Sequence, residues 1–240
     1  MVLSRRLVIA AALCASLASA LTAQQKAAND AVIPAPREGN WMKRHESFNE
    51  RVKQGNVDLV FIGDSITQGW EGAGKNVWAE FYGKRNAVNL GIGGDRTQHV
   101  LWRLDHGNID GIKPKLAVLM IGTNNSRNNT SEQIAEGVKA IVEKLRAKLP
   151  ETKILVLAIF PRGADKNDPL RKTNEGANAI IQKLADGQMV HYLDIGPKFL
   201  AADGTLSKEV MPDLLHLNEK SYRTWAESIE PKVKELLGEK

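Results

Sequence analysis

The 240-residue chain lacks the features that define several classes of protein. Its single cysteine, Cys14, excludes a disulfide framework within the chain. After the amino terminus, no stretch approaches the roughly 20 apolar residues that a membrane-spanning helix needs. No sequence period recurs that would indicate a repeat protein. With 42% hydrophobic and 25% charged residues, the composition is that of a globular protein able to bury a substantial core.

The chain also lacks a strong excess of charge. Its 33 Lys and Arg residues against 28 Asp and Glu residues give a formal net charge of +5. Arg5 and Arg6 are the only charged residues among the first 23, so removal of that segment would leave 31 basic against 28 acidic residues, a net charge of +3. A surplus this small, spread along the chain, predicts no nucleic-acid partner.

Residues 1–23 have the pattern of a secretory signal peptide. Arg5 and Arg6 form a positively charged start, residues 7–17 form an apolar segment too short to span a bilayer, and small residues follow. We therefore expect cleavage near residues 20–23, a secreted or periplasmic protein without a thiol, and no stable membrane insertion. A membrane anchor or a buried first helix is the alternative, and the general and twin-arginine export routes both stay open.

Strand and helix signals alternate after an amino-terminal segment. Residues 24–56 divide into an extended leader, which either dangles or wraps the surface, and a helix of residues 41–53 that Asn40 caps. Short apolar runs predict five strands, at residues 57–62, 87–90, 116–121, 154–159 and 190–193. Helices are predicted between and after them, at residues 130–150, 170–184 and 217–237, the last with a kink or break at Pro231.

This alternation predicts an α/β fold for residues 57–240. Parallel βαβ units covered on both faces give a three-layer αβα sandwich around about five parallel strands. In such sheets the ligand crevice lies beyond the carboxyl ends of the strands. Glycine and polar residues directly follow three of the predicted strands, at residues 63–65, 91–95 and 122–125, so we expect the functional site at that edge.

Three of the motifs at that edge carry candidate chemistry, although each alone has a simpler explanation. Ser65 follows a strand and a glycine, so it either presents its hydroxyl to the crevice or caps a helix. Gly94 either offers an unhindered N–H donor or completes a tight turn, and its surroundings lack the spacing of a phosphate-binding loop. Asn124 either donates its side-chain amide to a developing negative charge or forms a turn.

A fourth motif lies near the carboxyl terminus. Asp213 stands three residues before His216, so both side chains lie on one side of a turn and the carboxylate can fix the tautomer of the ring. The other four histidines lack such an acid and are interpreted as packing or surface residues: His45, His99, His106 and His191. Coincidence of all four motifs is improbable, and together they predict nucleophilic catalysis by serine that requires no metal and no organic cofactor.

In combination the four motifs resemble the SGNH, or GDSL-type, hydrolase superfamily. The matching blocks are Gly63-Asp64-Ser65, Gly91-Ile92-Gly93-Gly94-Asp95, Gly122-Thr123-Asn124-Asn125 and Asp213-Leu214-Leu215-His216. Residues 89–104 and Pro161-Arg162-Gly163 are most similar to the catalytic subunits of the platelet-activating-factor acetylhydrolases. The resemblance covers residues 57–237 and implies the flavodoxin-like αβα fold of that superfamily.

The resemblance implies a role for each matching residue. It implies Ser65 as the nucleophile, His216 as the base and Asp213 as the acid that orients the base. It implies an oxyanion hole formed by the backbone N–H groups of Ser65 and Gly94 and the side chain of Asn124.

The resemblance also implies a small acyl pocket. Its borders would be Ile66, Thr123 and Leu215, whose bulk excludes long acyl chains. We therefore expect a small acylated substrate that carries an acetyl or similarly short group.

We thus expect a secreted serine esterase that removes acetyl groups, with O-acetylated carbohydrate as the preferred substrate because export indicates extracellular or envelope polymers. A lysophospholipase, thioesterase or arylesterase is the alternative within the family. A non-catalytic carbohydrate-binding protein is the alternative from another class; a missing triad residue would favour it, but none is missing. A structural or scaffolding subunit is a third alternative. The resembled acetylhydrolases form dimers, so a homodimer is an expectation that the sequence itself does not decide.

Overall fold

A computed structural model describes residues 29–239 of the chain. The signal segment predicted at residues 1–23, with Cys14, and the first part of the leader lie outside the described residues. The chain divides at Asp30, and the unit that begins at Ala31 contains the sheet and the site. None of the helices within residues 29–239 is both long and apolar enough to cross a bilayer.

The described residues form a five-stranded sheet in the order β2-β1-β3-β4-β5, with every pair parallel. The strands are β1 Leu59–Gly63, β2 Ala87–Gly91, β3 Leu116–Met120, β4 Lys153–Leu157 and β5 Val190–Leu193. The predicted five parallel strands are confirmed. The predicted end of β4 at residue 159 is two residues too long, because the backbone N–H and C=O of Ile159 bind the Asn178 side chain and not a neighbouring strand.

Seven α-helices occur in the described part of the chain. They are α1 Asn40–Lys53, α2 Ser65–Gln68, α3 Lys75–Phe81, α4 Thr97–Asp105, α5 Ser131–Lys148, α6 Pro169–Ile181 and α7 Glu219–Leu237. Short 3-10 helices lie at Asp30–Val32, Gly69–Glu71, Asn125–Arg127, Gln182–Leu184 and Gly196–Phe199.

Alternation of side chains along the strands creates two hydrophobic cores, because successive residues of a strand point to opposite faces. Val60 and Ile62 of β1 pack in the core that contains apolar residues of α1, α4, α5 and α6. Leu59 and Phe61 pack in the core that contains apolar residues of α3 and α7. The helices therefore cover both faces of the sheet, which confirms the three-layer αβα sandwich.

The start of α1 differs from the prediction. Gly39 occupies the capping position with a φ of 67°, no side chain caps the helix, and Asn40 is already its first residue. The prediction that Asn40 caps this helix is wrong, because the left-handed turn at Gly39 brings Asn40 into the helix itself. The predicted apolar face is confirmed, since Trp41, His45 and Phe48 are buried.

The closing helix also differs from the prediction. It begins at Glu219, after Asn218 accepts a hydrogen bond from the Ser221 N–H, and it runs without a break through Pro231. Of the predicted kink or break at Pro231, the break does not occur, because the fully buried side chains of Ile229 and Val233 hold both sides of the proline in the core. The kink stays a prediction.

The leader packs on the fold from Ala31 onward. Ala31 is fully buried, and its carbonyl oxygen accepts a hydrogen bond from the Thr97 hydroxyl at 2.7 Å. Further along, the Ala35 N–H donates to the backbone oxygen of Gln98 at 3.2 Å. The leader therefore wraps the surface at residues 31–35, which is one of the two conformations that the sequence left open.

Candidate active site

Ser65 lies directly beyond the carboxyl end of β1, as the first residue of α2. The turn that presents it is tight: a Cβ atom at Gly63 would lie 2.1 Å from Thr67 Oγ1 and 2.4 Å from the Met120 carbonyl oxygen. Only glycine therefore lets α2 approach the end of the sheet this closely. Asp64 fixes the same turn, since its carboxylate accepts the Ile66 N–H at 2.9 Å.

The structure brings together the three residues of the predicted triad. Ser65 Oγ lies 2.8 Å from His216 Nε2, and His216 Nδ1 lies 2.6 Å from Asp213 Oδ2. The other carboxylate oxygen of Asp213 accepts the backbone N–H groups of Leu215 at 3.1 Å and His216 at 2.7 Å. With Nδ1–H held by the carboxylate, Nε2 of the ring can accept the proton of the serine hydroxyl.

Asp213, the acid of the triad, is held in its ionised form although the site is open to solvent. Burial alone would raise the pKa of Asp213, but the hydrogen bonds from the side chain and backbone of His216 and from the Leu215 backbone outweigh burial and lower it. The side chains of His216 and Asp213 are 45% and 56% exposed, respectively. Water and a bulky alcohol group can therefore reach the imidazole.

The loop after β2 and the loop after β3 meet beside Ser65. The side-chain amide of Asn124 donates to the Asp95 carbonyl oxygen at 2.9 Å, and one hydrogen on the same nitrogen remains for another acceptor. Gly94 has a φ of 74°, which favours glycine, and Gly93 donates its N–H to Gln68 Oε1 at 2.7 Å. No hydrogen bond among the described residues uses the N–H of Ser65 or Gly94, so both can donate to a bound oxygen.

A buried ion pair supports this loop, and the sequence did not predict it. The Asp95 carboxylate accepts Trp41 Nε1 at 2.6 Å and Arg103 Nε at 2.9 Å, and both partners of the ion pair are fully buried. Arg103 also donates to Asn108 Oδ1 at 2.6 Å. Asp95 lies before the first residue of α4, and Arg103 lies inside that helix, so the pair is not a contact along one helix face and the sequence did not reveal it.

The three residues assigned to an acyl pocket have different surroundings. Ile66 is buried among core residues, and its carbonyl oxygen accepts the Tyr222 hydroxyl at 2.6 Å. Thr123 is also buried, and Arg162 Nη1 donates to its carbonyl oxygen at 3.1 Å and to its hydroxyl at 3.2 Å. Leu215 is half-buried beside His216. Their role in binding the acyl group stays a prediction.

The acid next to the nucleophile has an unusual environment. Asp64 is fully buried, and its Oδ2 atom has no hydrogen-bond partner among the described residues. Burial raises the pKa of this carboxyl to about 7, and the negative charge of Asp95 adds to the shift.

In the part of the chain that the structure describes, the remaining histidines have structural surroundings. His45 and His99 are buried in the fold, and His106 stacks on the Trp102 ring with 3.7 Å between ring centroids. Within residues 29–239, no group of three His, Cys, Asp or Glu side chains is arranged to hold a metal ion.

Comparisons with known proteins identify relatives over most of the chain. Residues 61–224 match the GDSL-like lipase/acylhydrolase family. The chain is 41% identical over 186 residues to the human platelet-activating factor acetylhydrolase IB subunit alpha1, which covers 77% of this chain and 79% of the relative. It is 38% identical over 220 residues to the rat alpha2 subunit, which covers 88% and 93%, respectively.

A solved structure supports the fold independently. An acetylxylan esterase from Geobacillus stearothermophilus, solved as a catalytic mutant, matches with a TM-score of 0.59 at 17% identity, over 78% of this chain and 96% of that one. At that identity the likeness shows the fold alone. Fold, family match and relatives together define a carboxylic ester hydrolase with an SGNH-type fold. The chain belongs to the GDSL-like lipase/acylhydrolase family.

Proposed function

We propose that this protein hydrolyses short-chain esters, acetyl esters above all, with Ser65 as the nucleophile. The observation that carries the proposal is the pair of hydrogen bonds that joins three distant residues. Ser65 Oγ lies 2.8 Å from His216 Nε2, and His216 Nδ1 lies 2.6 Å from Asp213 Oδ2. These are the contacts that a serine nucleophile makes with its general base, and that the base makes with the carboxylate that orients it.

The reaction has two steps. His216 takes the proton of Ser65 as the hydroxyl oxygen attacks the acyl carbonyl, and then gives that proton to the alcohol that leaves. Water next attacks the acyl-enzyme, again with His216 as base, and the proton returns to Ser65 as the carboxylic acid departs. Asp213 stays ionised and stabilises the imidazolium in both steps.

Three donors stabilise the negative oxygen that forms in each step. They are the N–H groups of Ser65 and Gly94 and the side-chain amide of Asn124. The proposal is supported by the two backbone N–H groups, which are unused in the described residues, and by the Asn124 amide, which keeps one hydrogen for the substrate. Donors held in place in this way act mainly on the transition state.

We further propose O-acetylated carbohydrate as the substrate and export as the route to it. The exposed His216 and Asp213 support a large alcohol group, and a fold neighbour is an acetylxylan esterase. The signal pattern of residues 1–23 supports export. An acetylated phospholipid is the second candidate, favoured by the 41% identity to the human platelet-activating factor acetylhydrolase subunit.

A panel of esters, run against the wild type and Ser65→Ala, tests the proposal. We expect the wild type to hydrolyse acetyl esters faster than longer acyl esters, and Ser65→Ala to lose activity on all of them while it keeps the circular dichroism spectrum of the wild type. Acetylated sugars, phospholipids and aryl esters in the panel separate the two candidate substrates. Full activity of Ser65→Ala would refute the proposal.

A further inference from the structure

We propose that Arg37 is a positioning residue that strengthens the Gly94 N–H as a donor to the reacting oxygen. This inference rests on the proposed function, because it takes the Gly94 N–H as part of the oxyanion hole. Arg37 lies in the leader, outside the residues 61–224 that match the family. No motif in the sequence indicates a role for it.

The first observation is the contact between the guanidinium and one peptide group. Arg37 Nη1 donates to the Gly93 carbonyl oxygen at 2.8 Å. The carbonyl of Gly93 and the N–H of Gly94 belong to the same planar, trans peptide group, in which the two bonds point in opposite directions. A hydrogen bond that holds the oxygen therefore also fixes the direction of the N–H.

The second observation is how closely the cation approaches Gly94. A Cβ atom built on Gly94 would lie 3.2 Å from Arg37 Nη1 and 3.4 Å from Nη2. The guanidinium thus lies against the backbone of the donor residue itself. The missing side chain of Gly94 leaves this space to the guanidinium.

The charge of Arg37 is not cancelled by the nearest carboxylate. Arg37 Nη1 lies 3.5 Å from Asp95 Oδ1, but Asp95 is already paired with the buried Arg103 at 2.9 Å. Two guanidinium groups against one carboxylate leave a net positive charge at this loop. A charge-assisted hydrogen bond to the carbonyl polarises the peptide group, so its N–H becomes a stronger donor to an oxygen that turns negative.

The backbone of the leader is restrained before Arg37. Ala31 is fully buried, and the Ala35 N–H is bonded to the backbone oxygen of Gln98. Pro34 and Pro36 restrict their own backbone angles and those of the residues before them. The side chain of the next residue is therefore held over the loop by a segment with little freedom.

Arg44 provides a matched control. Its Nε donates to the Gly91 carbonyl oxygen at 2.9 Å, so it too is a guanidinium bound to a backbone carbonyl, here at the end of β2 where the loop begins. The N–H of that peptide group belongs to Ile92 and donates to the Gly63 carbonyl oxygen within the fold. Loss of Arg44 therefore removes a similar contact without touching a proposed oxyanion donor.

The test is steady-state kinetics on a short acetyl ester. We expect Arg37→Met to lower kcat roughly tenfold and to change KM by less than about twofold, because the lost interaction acts on the transition state. Arg37→Lys should recover part of kcat, since its ammonium can donate to the same carbonyl, and added guanidinium ion should do the same for Arg37→Ala. Arg44→Met should keep the wild-type kcat.

Several results would overturn the inference: an unchanged kcat in Arg37→Met, an effect confined to KM, or an equal loss in Arg44→Met. Asn124→Ala and Ser65→Ala, measured in parallel, separate this inference from the proposed function. We expect Asn124→Ala to lower kcat by about two to three orders of magnitude. If both behave as expected and the Arg37 variants do not, only the inference on Arg37 fails. If Ser65→Ala stays active, the proposed function fails and the inference on Arg37 fails with it.

Discussion

At the scale of single residues, Asp64 links the active site to the stability of the fold. Its pKa is raised to about 7 from the ordinary value of 3.8, with burial as the main cause. Asp64 interacts electrostatically with four charged or titratable groups: Asp95, His216, Arg162 and Tyr222. A raised carboxyl pKa means that the folded state holds the proton more tightly than the unfolded chain does.

The pH dependence of stability follows from that shift. The contribution of Asp64 to the free energy of unfolding is greatest below about pH 4 and falls as the pH rises to 7, by up to about 4 kcal/mol. Asp64→Asn keeps an oxygen for the Ile66 N–H but carries no charge. We therefore expect the stability of the variant, relative to the wild type, to rise with pH across this range.

Denaturant unfolding of both proteins between pH 4 and pH 8 measures this difference. A stability difference that stays constant with pH would show that Asp64 does not titrate in this range.

At the scale of elements, the turn that contains Arg162 and Gly163 is hydrogen-bonded to two loops of the site. Arg162 Nη1 bonds to the carbonyl oxygen of Thr123, the residue before Asn124. The next residue, Gly163, donates its N–H to the carbonyl oxygen of Leu214 at 3.0 Å, and Leu214 itself has a positive φ of 59° within the triad turn. The turn after β4 therefore fixes the loop of the oxyanion donor and the loop of the base relative to each other.

Gly163→Ala tests this role of the turn. Gly163 has a φ of 69°, and a Cβ atom there would lie 2.4 Å from Asp168 Cγ and Oδ2. We expect the substitution to lower the free energy of unfolding by roughly 1–3 kcal/mol and to lower kcat, because the clash with Asp168 displaces the residue whose N–H holds the Leu214 carbonyl. Denaturant unfolding and kinetics on an acetyl ester measure both effects.

Gly187→Ala is the control for backbone strain alone. Gly187 has a φ of 71°, but a Cβ atom there would meet nothing within 4 Å beyond its chain neighbours. We expect a smaller loss of stability and the wild-type kcat. Equal stability losses in the two variants, with kcat unchanged in both, would contradict the role assigned to the turn.

At the scale of the whole molecule, the sequence predicts the fold well because the fold depends on local patterns. Short apolar runs between glycine-rich turns correspond to the five parallel strands, and a capping box of Thr130 and Gln133 begins α5 beside the predicted start at residue 130. The triad residues could be predicted because Asp213 and His216 are close in sequence, Ser65 follows a strand, and the motifs together resemble a known superfamily. Periodicity and turn chemistry act within a few residues, so a single sequence carries them.

Contacts between side chains that are far apart in the chain were not predictable in this way. Trp41 reaches Asp95, and Arg37 reaches the Gly93 carbonyl, across more than 50 residues. No repeat or spacing links such positions, because only the finished fold brings them together. The continuation of α7 through Pro231 was also not predictable from local sequence, because burial on both sides of the proline outweighs its tendency to break a helix.

The most direct test of the central claim, that Ser65 is the activated nucleophile, is labelling with a fluorophosphonate followed by peptide mass spectrometry. The account predicts one adduct per chain, located on Ser65, with loss of esterase activity in proportion to labelling. It also predicts that His216→Ala reacts far more slowly, because the hydroxyl then lacks its base. An adduct on another residue, or esterase activity that persists when Ser65 is fully labelled, would contradict the account.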